Sequence, residues 1–367
     1  MHGHVCRISV GLIALTASLL RSEEPKFRTD GGDEKLSWYP LKPGEFPPAG
    51  SAHAISGELI RVDPINRTGA IRMDRTGSQR TDDYDQALTF TLLPFASLRY
   101  HGAPAELRDI PLGTHLHGQF YEGVQGDKKT FSQVLQFDDD FSQMTAAQRV
   151  WRIDAVDLGK RTLALTGMQT TDNQADPKPT VLQITPATRV WKGLEIGNEK
   201  DLAAGQTVLA NLTVCTLKGP GRCMDIWIDA QSREAATAAQ LELHRQYQQE
   251  HGLACQVVAV DNTSKIVTVT VFGGFAPGLK ENFKVKEHIA AAVANQDLRT
   301  HDQLNDTARG PIIEVLEGSP SPGQSGLRLR FKPEILLEGF RPGRILRIFG
   351  PGWPVDDLPR EERAYDG

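Results

Sequence analysis

Scarcity is the first thing this 367-residue sequence shows. With 4 cysteines it has no disulfide framework to stand in for a hydrophobic core. Basic residues are also short: 41 Lys and Arg face 46 Asp and Glu, a net charge of −5. That balance argues against a nucleic-acid partner, since neutralised phosphates supply most of such affinity. Apolar runs are absent apart from Ile8 to Leu20, which at 13 residues falls short of the roughly 20 a membrane-spanning helix needs. Catalytic strings are missing too. There is no G-x-S-x-G, no H-E-x-x-H, no G-x-x-x-x-G-K-[ST] and no C-x-x-C. A nucleophile assembled from dispersed residues escapes such a search, so the expectation of an enzyme is lowered rather than removed, and no cofactor is expected.

What is present begins with that apolar run. It follows the single basic residue Arg7, which is a signal-peptide pattern. Residues 1–20 are read as a signal peptide, or as an uncleaved anchor because Thr16 and Ser18 make an imperfect cleavage pair. The mature protein is expected in the periplasm, cell envelope or extracellular space, without a membrane span. Cleavage after Ser18 removes Arg7 and no acid, so −5 becomes −6. Beyond the leader, 34 glycines, 22 prolines and 39% hydrophobic residues describe a folded, turn-rich chain of many short strands.

Those strands repeat. Gly57-Glu-Leu-Ile-Arg-Val-Asp63, Trp151-Arg-Ile-Asp-Ala-Val-Asp157 and Cys255-Gln-Val-Val-Ala-Val-Asp261 align. Each is followed four residues later by a base (Arg67, Arg161, Lys265) and a second alternating run. An aspartate opening such a turn caps backbone N–H groups, and the nearby base offers a surface ion pair. In copies one and two a third strand carries proline at a similar place, Pro94 and Pro186. Gly113, Gly205 and Gly343 then open a further strand, where glycine supplies positive φ. A short helix is predicted over 141–148. A longer one begins at Asp229 or Ser232, carries a stripe of Ala236, Ala239, Leu243 and Tyr247, and ends at Gly252.

The fold class expected is mainly β: three tandem five-stranded OB-like barrels, with a helix after the second and a short one after the first. The segments are an extended N-terminal segment over 21–50, barrels over 51–148, 149–252 and 253–350, an inserted loop over 296–326 and a tail over 351–367. On Gly57, Val62, Asp63, Thr68, Asp109 and Gly113, on Val156, Asp157, Thr162, Asp201, Leu202 and Gly205, and on Val260 and Asp261, the chain resembles bacterial exported domains of unknown function with a G-x-V-x-x-V-D…T-x-T-V repeat. The resemblance implies fold and export, and carries no catalytic residues.

A repeat also acts as a filter, because what does not recur is where function should be sought. Gly113-Thr-His-Leu-His-Gly118 is the sharpest such feature: residues two apart on a strand share a face, and two histidines so placed can share a metal. Parity against copy two puts His115, His117, Gln119 and Tyr121 away from the core, hence exposed. Copy two has Thr207 and Leu209 at the histidine positions and copy three Ile345 and Arg347. The string resembles a copper-ligand strand of multicopper oxidases, and His101 or His53 are conceivable further ligands. Gln119, Tyr121 and Trp191 are candidate binding residues, although Trp151, Trp191 and Trp227 also suit core packing. Asp138 to Asp140 suit a helix N-terminus. Cys215 and Cys223 flank a Gly-Pro-Gly turn and either form a disulfide or are small core residues, with Cys255 a lone thiol. The preferred reading is a non-enzymatic binding or scaffold protein of the cell envelope. The alternatives are a copper-type metal-binding protein using His115 and His117, or a hydrolase of an envelope polymer with acidic residues between barrels.

Overall fold

A computed structural model describes residues 27–28, 35–74, 87–125, 128–171, 174–213, 221–300, 306–355 and 358–363. Residues 1–20, read from sequence as a signal peptide or anchor, lie outside them. Among the described residues no helix is long and apolar enough to cross a membrane.

The chain folds into three closed β-barrels. The first is built from β1 (His53–Asp63), β2 (Thr68–Met73), β3 (Ala87–Tyr100), the short β4 (Ala103–Ala105), β5 (His115–Gln125) and β6 (Lys128–Asp139), followed by helix α1 (Asp140–Ala146). Five strands close it: β1 pairs with β2 and β5, β2 with β3, β5 with β6, and β3 with β6 in parallel. The second repeats this order with β7 (Arg149–Asp157), β8 (Thr162–Gln169), β9 (Thr180–Lys192), the short β10 (Glu195–Ile196), β11 (Thr207–Thr213) and β12 (Arg222–Trp227). Its closure is again a parallel pair, β9 with β12. Helix α2 (Ala230–His251) leads on to the third barrel. That barrel is made of β13 (Leu253–Asp261), β14 (Ile266–Phe272), β15 (His288–Ala294), β16 (Thr307–Glu317), β17 (Gln324–Phe331) and β18 (Ile345–Phe349).

The repeat is visible in the backbone. In the first hairpin of each barrel the register slips at one equivalent place, between Leu59 and Arg61, Ile153 and Ala155, and Val257 and Ala259, a one-residue bulge that bends the strand into the barrel. Leu59, Ile153 and Val257, just before the bulge, each exchange two main-chain hydrogen bonds with the turn that opens β5, β11 or β18. Gly113, Gly205 and Gly343 supply the N–H at 2.8 Å in every case. Their φ values of 90°, 87° and 85° are the reason for glycine there. Asp63, Asp157 and Asp261 each accept the N–H three residues on, at 3.0, 2.9 and 3.1 Å, as expected of turn caps. The bases that follow sit in the left-handed region, with φ of 53°, 52° and 55°. Arg67 and Arg161 do not pair with the turn aspartates. They reach instead to Glu106 and Glu199, at 3.5 and 3.4 Å. Pro94 and Pro186 fall within the register breaks of the two parallel closures, where a residue without an N–H costs no ladder bond.

Three expectations are corrected. The third barrel closes with six strands, all antiparallel: β15 pairs with β18, and β16 sits between β15 and β17. The stretch 296–326 is therefore not simply an inserted loop, because it contains β16. Within the 351–367 tail, Leu358 is buried and Glu362 bonds to Arg108 at 2.9 Å. Helix α2 is capped by Asp229 and ends at Gly252 with φ of 74°, as read, but it buries a different face. Ser232, Ala236, Gln240, His244, Gln248 and His251 are buried, whereas Leu243 is 51% exposed. The helix docks mainly through polar side chains, and of the apolar stripe Ala236 alone is buried, against Phe141, Leu209 and Trp227. Gln240 donates to Pro104 O at 3.2 Å, His244 Nε2 lies 3.0 Å from Gly274 O, and Gln248 accepts the Ala276 N–H at 2.8 Å.

Candidate metal centre

Strand parity places His115 and His117 on one face of β5, opposite Leu116 and Phe120 in the first barrel's core. That face is not free. His115 is 5% exposed and His117 half-buried, because α1 and the second barrel's β11 pack across it. The rings lie edge to face, centroids 4.8 Å apart.

The third member comes from the aspartate triplet, whose residues divide their work. Asp139 caps α1 by accepting the Ser142 N–H at 2.9 Å. Asp138 pairs bidentately with Arg99 at 2.7 and 2.6 Å across the parallel closure. The second barrel repeats this at the same register with Arg189 and Asp225, which marks it as scaffold. Asp140, the first residue of α1, turns to the histidines, with Oδ1 2.8 Å from His115 Nδ1 and 2.7 Å from His117 Nε2.

Each of these three groups is held from behind. Asp74, just past β2, places Oδ2 2.8 Å from His115 Nε2. Ser56 Oγ lies 3.1 Å from His117 Nδ1. Asp140 Oδ2 accepts the Leu212 N–H of β11 at 2.7 Å. The outer contacts thus engage His115 Nε2, His117 Nδ1 and Asp140 Oδ2, leaving His115 Nδ1, His117 Nε2 and Asp140 Oδ1 converging within 4.8 Å of one another. Burial alone would push the His115 imidazole down, but Asp140 and Asp74 outweigh it and hold it up at about 10. Burial would likewise raise Asp140, yet the His115 charge and the two histidine hydrogen bonds bring it down to about 2. Protein–protein contacts continue the seam. Asn211 Oδ1 accepts the Phe141 N–H at 3.1 Å, and Glu58 accepts from Thr213 at 3.1 Å and Arg222 at 3.3 Å.

Neither His53 nor His101 joins this cluster. His53 packs against Trp38 and Phe131, with centroids at 3.8 and 4.3 Å. His101, stacked on Tyr100 at 3.7 Å, is half-buried, and desolvation of its ring pushes the imidazole down to about 3, helped by the Arg189 charge. Nor do the candidate binding residues gather. Gln119 is exposed, Tyr121 is buried under Tyr39 with its hydroxyl 2.8 Å from Ser51, and Trp191 donates to Asp225 at 2.7 Å on the second barrel. Of the proposed disulfide, Cys215 lies outside the described residues. Cys223 is fully buried in the second barrel's core, which pushes its thiol up to about 12. No family model and no curated protein matches this sequence.

Proposed function

We propose that this chain is an exported, three-barrel binding protein whose ligand is a divalent transition-metal ion, held by His115 Nδ1, His117 Nε2 and Asp140 Oδ1. One observation carries the reading: three donor atoms of metal-binding type converge, and each donor group is oriented by a separate contact on its other atom, from Asp74, Ser56 and the Leu212 N–H. Two imidazoles and one carboxylate suit Zn(II) or Fe(II), whose sites of this composition keep further positions for water or substrate. A hard carboxylate ligand without a thioether or thiolate favours these over Cu(I), so the copper-type reading is narrowed to a divalent ion. Asp140 belongs to the first barrel while its second oxygen is held by the second, so an ion here would also brace the seam. Export rests on the leader pattern at Ile8 to Leu20.

The hydrolase alternative needs free carboxylates facing each other between barrels. Among the described residues, the cleft between the first and third barrels holds three acids, of which Glu106 pairs with Arg67 and Glu362 with Arg108, so that only Asp297 is without an ion pair there.

The test is metal content. Chelator-stripped protein, equilibrated with zinc and freed of excess ion, is expected to retain about one equivalent, and the His115→Ala/His117→Ala variant almost none. Asp74→Asn should keep the site but weaken it by roughly 10- to 100-fold. Wild-type protein that holds no stoichiometric zinc or iron(II), or a double variant that holds as much as wild type, overturns the proposal.

A further inference from the structure

A second cluster lies where the first barrel, the third barrel and α2 meet. An open cleft there, of about 570 Å³ including the solvent at its mouth, is lined by Arg67, Tyr247 and Arg347. An adjoining recess adds Arg108, Arg299 and Asp297. Four arginines thus face three acids, Glu106, Asp297 and Glu362, in a partly desolvated space.

The pairing is uneven. Arg108 is matched to Glu362 at 2.9 Å and lies over the Tyr247 ring at 4.6 Å. Arg67 has Glu106 at 3.5 Å, a long contact, and donates to Leu93 O at 3.3 Å. Arg347 has no carboxylate partner among the described residues. It is 7% exposed, and its hydrogen bonds go to two main-chain carbonyls, Leu298 O and His251 O. Carbonyls satisfy N–H groups but do not neutralise a charge, and an uncompensated buried charge is expensive. In addition, the Nε atoms of Arg67 and Arg299, both lining this space, are buried without any hydrogen-bond partner. Unused donors and unbalanced positive charge in one cleft have a common complement.

We propose that this cleft binds a small oxyanion of phosphate type, with Arg347 and Arg67 as its principal contacts and Arg299 at the recess. Guanidinium groups present paired N–H donors that match phosphate oxygens, and an anion would supply both the missing acceptors and the missing negative charge. Electrostatics agree with the geometry: burial pushes the Arg67 guanidinium below the ordinary arginine range, Glu106 opposes the shift, and the neighbouring Arg347 charge adds to it. The repeat filter points the same way. Arg347 stands on β18 where the first barrel has His117 and the second Leu209, so its charge is peculiar to the third copy.

The probe is inorganic phosphate, followed by equilibrium dialysis of the full chain at fixed ionic strength with chloride as the balancing ion and chelator present. Saturable binding of about one equivalent per chain, at or below about 1 mM, is expected. Arg347→Gln should weaken it at least about tenfold, whereas Arg344→Gln, exposed on the turn before β18, should leave it unchanged. Should Arg347→Gln not fold, Arg299→Gln, removing a half-buried side chain, is expected to weaken binding by several-fold. Absence of saturable phosphate binding by wild-type protein, or binding that neither arginine substitution alters, overturns the assignment. The chelator keeps the result independent of the metal site.

Discussion

Replacing Asp140 by asparagine changes one atom and should cost more than most core truncations. The carboxylate accepts from three directions: His115 Nδ1 at 2.8 Å, His117 Nε2 at 2.7 Å and the Leu212 N–H at 2.7 Å. An amide has one oxygen. If that oxygen serves the histidines, the NH₂ confronts the Leu212 N–H; if it serves Leu212, the NH₂ confronts two ring nitrogens. Either orientation sets donor against donor in a buried place and leaves the His115 charge with Asp74 alone. Breaking a buried pair in this way costs about 3–5 kcal/mol. With a urea dependence of about 2 kcal/mol per molar, the midpoint of the transition should fall by about 2 M. The assay is urea unfolding in chelator, followed by tryptophan fluorescence, since Trp227 lies against Phe141 of α1 in the same seam, ring centroids 4.8 Å apart. A midpoint shift below about 0.5 M at unchanged slope would mean the three contacts are worth about 1 kcal/mol together, and the cluster could not then be a strong tie between barrels.

Other consequences are more local. Gly118→Ala would place a Cβ 2.2 Å from Phe120 Cε2 and 2.7 Å from Phe137 Cε1, so thermal unfolding should show a loss of about 1–3 kcal/mol. On α2 the polar face should matter and the apolar residue should not. Gln248→Ala strips the Ala276 N–H of its acceptor and should cost about 1–3 kcal/mol, whereas Leu243→Gln should stay within about 0.5 kcal/mol by the same denaturant titration. Glu362 is held down to about 2, first by His251, whose Nε2 lies 3.1 Å from its carboxylate, and then, against opposing burial, by Arg108. Its contribution is therefore complete above its ordinary value of 4.5 and is lost as pH falls towards 2. Glu362→Gln should lower stability at pH 7 and flatten the decline between those limits, and an unchanged acid limb would refute this. Cys223 and Cys255, both fully buried with thiols pushed up by burial, should resist alkylation in native protein and react on unfolding, as mass spectrometry of the modified peptides would show.

Local rules made the barrels legible and left their neighbours dark. The Val-Asp turns, the glycines before β5, β11 and β18, and the proline in each parallel closure are short-range features, and each appears in the structure where the alignment put it. The histidine pair was found for the same reason, since parity along a strand is local. Asp140 was missed because its triplet already had a sufficient explanation as a helix N-terminus, true of Asp139 as the cap and of Asp140 as the first helical residue, and because nothing in sequence ties position 140 to positions 115 and 117. Exposure was misjudged because parity reports only what faces away from a barrel's own core. The α2 stripe was misread because its apolar residues were assumed to face inward, although Gln240, His244 and Gln248 recur at a spacing of four, the signal that was available. Strand β16 was hidden by Gly310 and Pro311. The glycine is required where a Cβ would meet Lys332 O at 2.0 Å.

The three copies use one position in three ways, and this connects the two proposed sites. The outward face of β5, β11 and β18 is a docking face in each barrel. In the second copy Leu209 fills it and packs with Phe141 and Trp227, an apolar contact with no further chemistry. In the first copy the same face carries His115 and His117, and in the third Ile345 and Arg347. Ile345 joins Phe95 and Phe272, while Arg347 turns to the carbonyls of Leu298 and His251. A polar group buried in a docking face needs its environment to supply acceptors, and around the histidines the environment does so with Asp140 and Asp74, both of the first barrel. For Arg347 it supplies acceptors without charge. A docking face burdened with buried polar groups is a poor way to gain adhesion, because leucine does that at lower desolvation cost, as the second barrel shows. The departures from leucine are therefore better explained by what imidazole and guanidinium can bind.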